Sequence, residues 1–214
     1  MSDYLNLLIG LAMGLNLLAL GTHRLPSLIR AVSFQGMVLG SMPLLLEGHR
    51  LDWRVAALAL ATVAGKGVLI PWLLRKAMRA ASIDRELTPF IGYVPSLLLG
   101  TAGMLGAVAL AEVLPLLPEH AGNLLVPGAL ASVWTGFILL IGRTKAISLV
   151  CGYLILENGI YLFGLLLIKS TPLLVEAGVL LDLTVGVFVI GIIVDRIQRS
   201  FDTMDTRKLT TLHE

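Results

Sequence analysis

Lys66, Glu157 and Asp182 each stand in the middle of a long apolar run. Glu157 lies near the centre of about 25 residues between Lys145 and Lys169, long enough to cross a bilayer as a helix. A charged side chain at the bilayer centre costs roughly 3 kcal/mol or more, and spanning the membrane requires none. Tyr153 and Tyr161 lie four residues on either side of Glu157, so a carboxyl and two phenols share one helical face. Such a face suits a buried proton site and suits lipid contact poorly.

The three charges fall at one predicted depth. The turn KSTP places Glu157 about 13 residues before it and Asp182 about 12 after it. At a rise of about 1.5 Å per residue, the two carboxyls come within about 3 Å of the same level. Lys66 lies about 13 residues into its own span from the same surface, again near the midplane. A lysine and two carboxyls at one level lower each other's burial cost if their helices are neighbours, and they can pass a proton through water. Gly178 and Gly186 flank Asp182 and leave room for a helix or a water file. The competing reading is a buried ion pair that only fixes helix register, and Lys66 would snorkel if its span were shifted. Gln35 is either a relay member or a packing hydrogen bond. Glu112 and Glu176 lie near span ends and read as interfacial.

The elements that must position these groups are transmembrane helices. Of the 214 residues, 57% are hydrophobic and only 14% are charged, which excludes an ordinary soluble domain. The expected fold is all-α, a polytopic transmembrane helix bundle of about seven spans, at about 4–22, 27–46, 53–74, 89–115, 121–141, 145–169 and 172–195. Two GxxxG spacings, Gly10/Gly14 and Gly36/Gly40, predict close helix contacts. The segment 75–87 reads as a charged loop and the tail after 195 as polar and outside the membrane. The loops and tail on the side of the C-terminus hold Arg24, Arg75, Lys76, Arg79, Arg85, Arg143, Lys145, Arg196, Arg199, Arg207 and Lys208, whereas the opposite loops hold only Arg50, Arg54 and Lys169. The positive-inside rule then puts the N-terminus out and the C-terminus in. The opening residues MSDYLNLL read as part of the first span and not as a signal peptide.

Other chemistries find little support. The single Cys151 excludes an internal disulfide or a CxxC site, and His23, His49, His120 and His213 have no ligand-like spacing. No metal, cofactor or catalytic nucleophile is expected. An internal comparison aligns GTHRLPSLIRAVSF (21–34) with GRTKAISLVCGYLI (142–155) and sets Gln35 opposite Glu157 with one residue of slip. Chance similarity between apolar helices accounts for it about as well as an old duplication.

The segments KGVLIPWLL from Lys66, GYLILENG around Glu157, EAGVLLDLTVGVFVIGIIV with Asp182, and the tail DTMDTRKLTTL resemble the hydrogenase-4 component E family, membrane subunits of group 4 [NiFe] hydrogenases and formate hydrogenlyases. Residues 121–214 also resemble the three-span K subunit of respiratory complex I, which leaves 1–120 as an N-terminal four-span extension. In that subunit two intramembrane glutamates belong to a proton path. Glu157 looks like one of them, and Asp182, one methylene shorter, stands roughly where the other would be. The resemblance implies a subunit without cofactors or redox chemistry of its own. It would pack between antiporter-like subunits and the membrane anchor of a [NiFe] arm, in the cytoplasmic (inner) membrane of a bacterium or archaeon.

The expected function is therefore a contribution of buried residues (Glu157, Asp182, Lys66, Tyr153, Tyr161 and Gln35) to a mid-membrane proton or sodium path in a hydrogenase-type oxidoreductase complex. The alternatives are a purely structural scaffold between such modules, a subunit of a quinone-linked complex I relative, and a stand-alone transporter. The absence of a clear broken-helix pair argues against the last.

Overall fold

The computed structural model describes residues 2–46, 53–80, 85–86, 88–114, 123–166 and Gly191. Among these the fold is helical, with no strand beyond an isolated bridge between Arg24 and Arg85. The helices are α1 (Ser2–Gly21), α2 (Leu25–Gly40), α3 (Met42–Leu46), α4 (Trp53–Ala64), α5 (Ile70–Ala80), α6 (Tyr93–Val113), α7 (Leu125–Gly142) and α8 (Ala146–Leu166). A π-helical segment, Gly65–Leu69, joins α4 to α5 without a break. Six stretches in the described residues are long and apolar enough to cross a membrane. The expected seventh span, with Glu176 and Asp182, lies outside the described residues except for Gly191.

Sequence punctuation sets most boundaries. Pro26 occupies the first turn of α2, where its missing N–H costs nothing. Ser41 separates α2 from α3, and Pro43 stands in the first turn of α3. One boundary differs from expectation. The third spanning helix continues through Arg75, Lys76 and Arg79 to Ala80 instead of ending near residue 74. Leu74, Ala77 and Met78 are buried on its inner face while the three basic residues are exposed. An amphipathic turn of good helix formers thus extends the span beyond its apolar part.

Glycines decide how closely the helices approach. Between α7 and α8 backbone lies against backbone. A Cβ on Gly159 would sit 2.7 Å from the Val133 backbone nitrogen, and one on Gly136 would sit 2.7 Å from that of Leu156. The Gly36/Gly40 pair behaves as its spacing predicts: a Cβ on Gly36 would meet Lys66 Cβ at 2.9 Å, and one on Gly40 would meet Thr62 at 3.1 Å. The Gly10/Gly14 pair does not. Both glycines face outward with no described neighbour within 4 Å, because α1 buries its Leu5, Ile9, Ala12, Asn16 and Ala19 face instead.

Three connections meet at one end of the bundle. The Glu86 N–H donates to the His23 carbonyl, and the Ile91 N–H donates to the Gly142 carbonyl at the end of α7. Arg143, only 4% exposed, donates to the carbonyls of Leu20 (2.6 Å) and Ile91 (2.9 Å). It thereby satisfies an orphan acceptor at the α1 C-terminus with a charge of the favourable sign. These are segments that the charge asymmetry assigns to a single side.

Candidate functional site

The bundle interior holds a continuous set of polar side chains, each nearly inaccessible: Asn16, Gln35, Lys66, Ser132, Glu157 and Asn158. Lys66 Nζ lies 3.1 Å from Glu157 Oε1. The same ammonium donates to Asn158 Oδ1 at 3.3 Å. Asn158 Nδ2 donates to Gln35 Oε1 at 3.2 Å, Gln35 Nε2 to Asn16 Oδ1 at 2.8 Å, and Asn16 Nδ2 to Ser132 Oγ at 3.0 Å. The chain of contacts therefore runs from α7 through α1 and α2 to α8 and the π segment.

Local structure delivers each member. Glu157 and Asn158 are consecutive on α8, so they project in directions about 100° apart, and one lysine reaches both. Lys66 stands in the π segment. Such insertions concentrate at functional sites because they turn a side chain out of the ordinary helical register. Its cause is legible nearby. Pro71 has no N–H to give the carbonyl of Gly67 four residues earlier, and the Ser33 hydroxyl takes that carbonyl at 2.7 Å. Gly36 lets α2 lie directly against Lys66.

Of the residues expected from sequence, Glu157, Lys66 and Gln35 come together. Gln35 does so through Asn158 and Asn16. Tyr161 is buried one turn along α8 from Glu157, and its ring centroid lies 5.6 Å from Lys66 Nζ. Its hydroxyl has no hydrogen-bond partner among the described residues. Tyr153 is half-buried one turn before Glu157. Asp182 lies outside the described residues. Asn16, Ser132 and Asn158 were not singled out from sequence. The usable signal was an amide in mid-span, Asn16 between leucines and Asn158 beside the acid. No group of three or more possible metal ligands occurs among the described residues.

A lysine and a glutamate at 3.1 Å, held among amides out of water, are close enough to share a proton.

No family profile and no solved structure matches the chain. Over 84 residues, 39% of each chain, it is 31% identical to hydrogenase-4 component E of Escherichia coli (strain K12), and it matches the Shigella flexneri protein of that name to the same extent. Over 192 residues, 89% of this chain and 87% of the relative, it is 35% identical to the "Uncharacterized protein Rv0085" of Mycobacterium tuberculosis (strain ATCC 25618 / H37Rv). A likeness of that extent places the chain in the family of that mycobacterial protein.

Proposed function

We propose that the chain is a non-redox, multi-pass subunit of a hydrogenase-type complex in the cytoplasmic membrane of a bacterium or archaeon, and that Lys66 and Glu157 form one station of its proton or sodium path. The observation that carries this reading is the Lys66–Glu157 pair at 3.1 Å, almost wholly buried near the middle of two apolar spans. Ionisable groups at that depth are costly and rarely serve spanning as such. The partial likeness to hydrogenase-4 component E supplies the type of complex. Its partners would be antiporter-like subunits and the membrane anchor of a [NiFe] arm, and Asp182 would be a second acidic station. On this reading residues 1–120 are an extension that brings Asn16, Gln35 and Lys66 to the acid-bearing helix of residues 121–214.

The test is Glu157→Gln in the assembled complex, reconstituted in vesicles. Ion movement coupled to hydrogen evolution is expected to fall to near background while the complex still assembles. Undiminished ion movement in an intact complex would remove Glu157 from the path and leave a scaffold.

A further inference from the structure

We infer that the groove between α1 and α2 is a site for one anionic phospholipid, with the phosphodiester on Arg30 and an acyl chain along Leu15 and Leu18. The site is separate from the Lys66–Glu157 station and shares no residue with it.

Two helical stripes build the groove. Leu15, Leu18 and Thr22 follow one another at three- and four-residue spacing, down α1 and just past its end. Ser27, Arg30 and Ala31 line the facing side of α2. Between the two stripes lies a cavity of about 440 Å³, within the roughly 300–1,000 Å³ of small-molecule sites. Its lining is graded. Thr22 and Ser27 stand where α1 gives way to α2, at the end of the bundle that holds Arg143 and Glu86. Leu15 lies two turns deeper, about 10 Å along the axis, and the single methyl of Ala31 leaves the floor open. A polar end joined to an apolar end across this depth matches a lipid headgroup and its tail. It suits a free ion or a wholly apolar helix poorly.

Arg30 supplies the charge. It is exposed, on a span that is otherwise apolar, where a guanidinium against acyl chains is costly. Its side chain folds back toward the start of α2. Nε donates to the Pro26 carbonyl and Nη2 to the Ser27 hydroxyl, both at 3.3 Å. The cation thereby reaches the depth of the polar residues, as a snorkelling side chain does. Both acceptors are neutral, and they take two of the five N–H donors of a guanidinium. Among the described residues no carboxylate pairs with Arg30. The unspent donors suit two phosphate oxygens. The surroundings favour a headgroup of net negative charge over a zwitterionic one. Exposed charges described at this end, Arg24, Arg75, Lys76, Arg79 and Arg85, are all basic, and the Glu86 carboxylate is buried. A choline ammonium would be repelled there, whereas a neutral glycerol headgroup would not. Basic pockets between spanning helices take anionic lipid headgroups for the same reason.

The experiment is native mass spectrometry of the full chain in detergent, with equal amounts of phosphatidylglycerol and phosphatidylcholine of the same acyl chains. One phosphatidylglycerol per chain should be retained, preferred by about fivefold. Arg30→Gln should abolish that preference, and Lys76→Gln, outside the groove, should keep most of it. Excess glycerol phosphate should not displace the lipid, because it has no tail for the apolar end. Displacement would make a free phosphate ester the ligand and overturn the inference. Equal retention of the two lipids, or an unchanged preference in folded Arg30→Gln, would also overturn it. A photoreactive side chain in place of Leu18, in the cell membrane, should label lipid, and it decides the matter if Arg30→Gln does not fold. A crosslink to another subunit or a second copy would show that a helix fills the groove and would overturn the lipid assignment.

Discussion

At the scale of single residues, the Lys66–Glu157 pair is a liability unless both members are present. Removing one partner of a buried pair leaves an uncompensated charge, at about 3–5 kcal/mol. Lys66→Met should therefore lower thermal stability by about that much. The double variant Lys66→Met/Glu157→Leu should recover most of the loss, because an apolar pair of similar volume is often no less stable. Thermal unfolding of the purified chain in detergent measures both, and a double variant less stable than the single one would contradict the account. Glu157, Lys66 and Gln35 were legible in the sequence because each violates an apolar pattern. Asn16, Ser132 and Asn158 violate it less sharply, since small neutral polar side chains are common in spanning helices. Their role depends on what faces them.

At the scale of elements, the site depends on close backbone approach. Gly159 has the Val133 backbone nitrogen at 2.7 Å and the Ala129 carbonyl at 2.8 Å from where a Cβ would stand. Backbone atoms cannot rotate away, so Gly159→Ala must push α7 from α8, at a cost of about 1–3 kcal/mol. Circular dichroism melts should show that loss, while Gly10→Ala, with no described neighbour within 4 Å, should be silent or slightly stabilising. The two GxxxG pairs were indistinguishable as sequence. Which of them meets a neighbour is decided by the face each helix turns inward. The π segment is likewise only half legible. Pro71 announces a disturbed carbonyl, but that Ser33 would take it follows from the packing of α2 on the third span.

At the scale of the whole molecule, the loop residue Glu86 ties one end of the bundle together. Its carboxylate, 2% exposed, accepts from the Thr144 and Lys145 backbone N–H groups and from the hydroxyls of Thr144 and Ser148. It thus caps α8 from a distant segment. Burial alone would raise its pKa, but the hydrogen bonds from Ser148, Thr144 and Lys145 outweigh that and hold the carboxyl below its usual value. A folded pKa below the unfolded one means that the carboxylate contributes stability above the ordinary carboxylate range. The contribution disappears as pH falls through the folded value. Glu86→Gln should therefore be less stable than wild type at neutral pH, by about 1–3 kcal/mol. That difference should shrink as the medium becomes acidic, and parallel melts across pH check it. A gap independent of pH would show that charge has no part in the cap.

The sequence by itself determined the class of molecule and which apolar runs carry a charge. Apolar run length fixes where helices cross, and a charge inside such a run is too costly to overlook. It also singled out Lys66, Glu157 and Asp182 as charges at one predicted level, of which Asp182 lies outside the described residues. Only the tertiary structure decided that Lys66 reaches Glu157 and Asn158 together, that Gln35 bonds amides and not the acid, and that Arg143 and Glu86 bind the helix ends instead of merely facing solvent. The physical reason is that burial cost is a property of one helix in its solvent. Hydrogen-bond partners and their direction belong to several helices at once, and no single helix encodes which neighbours it will meet.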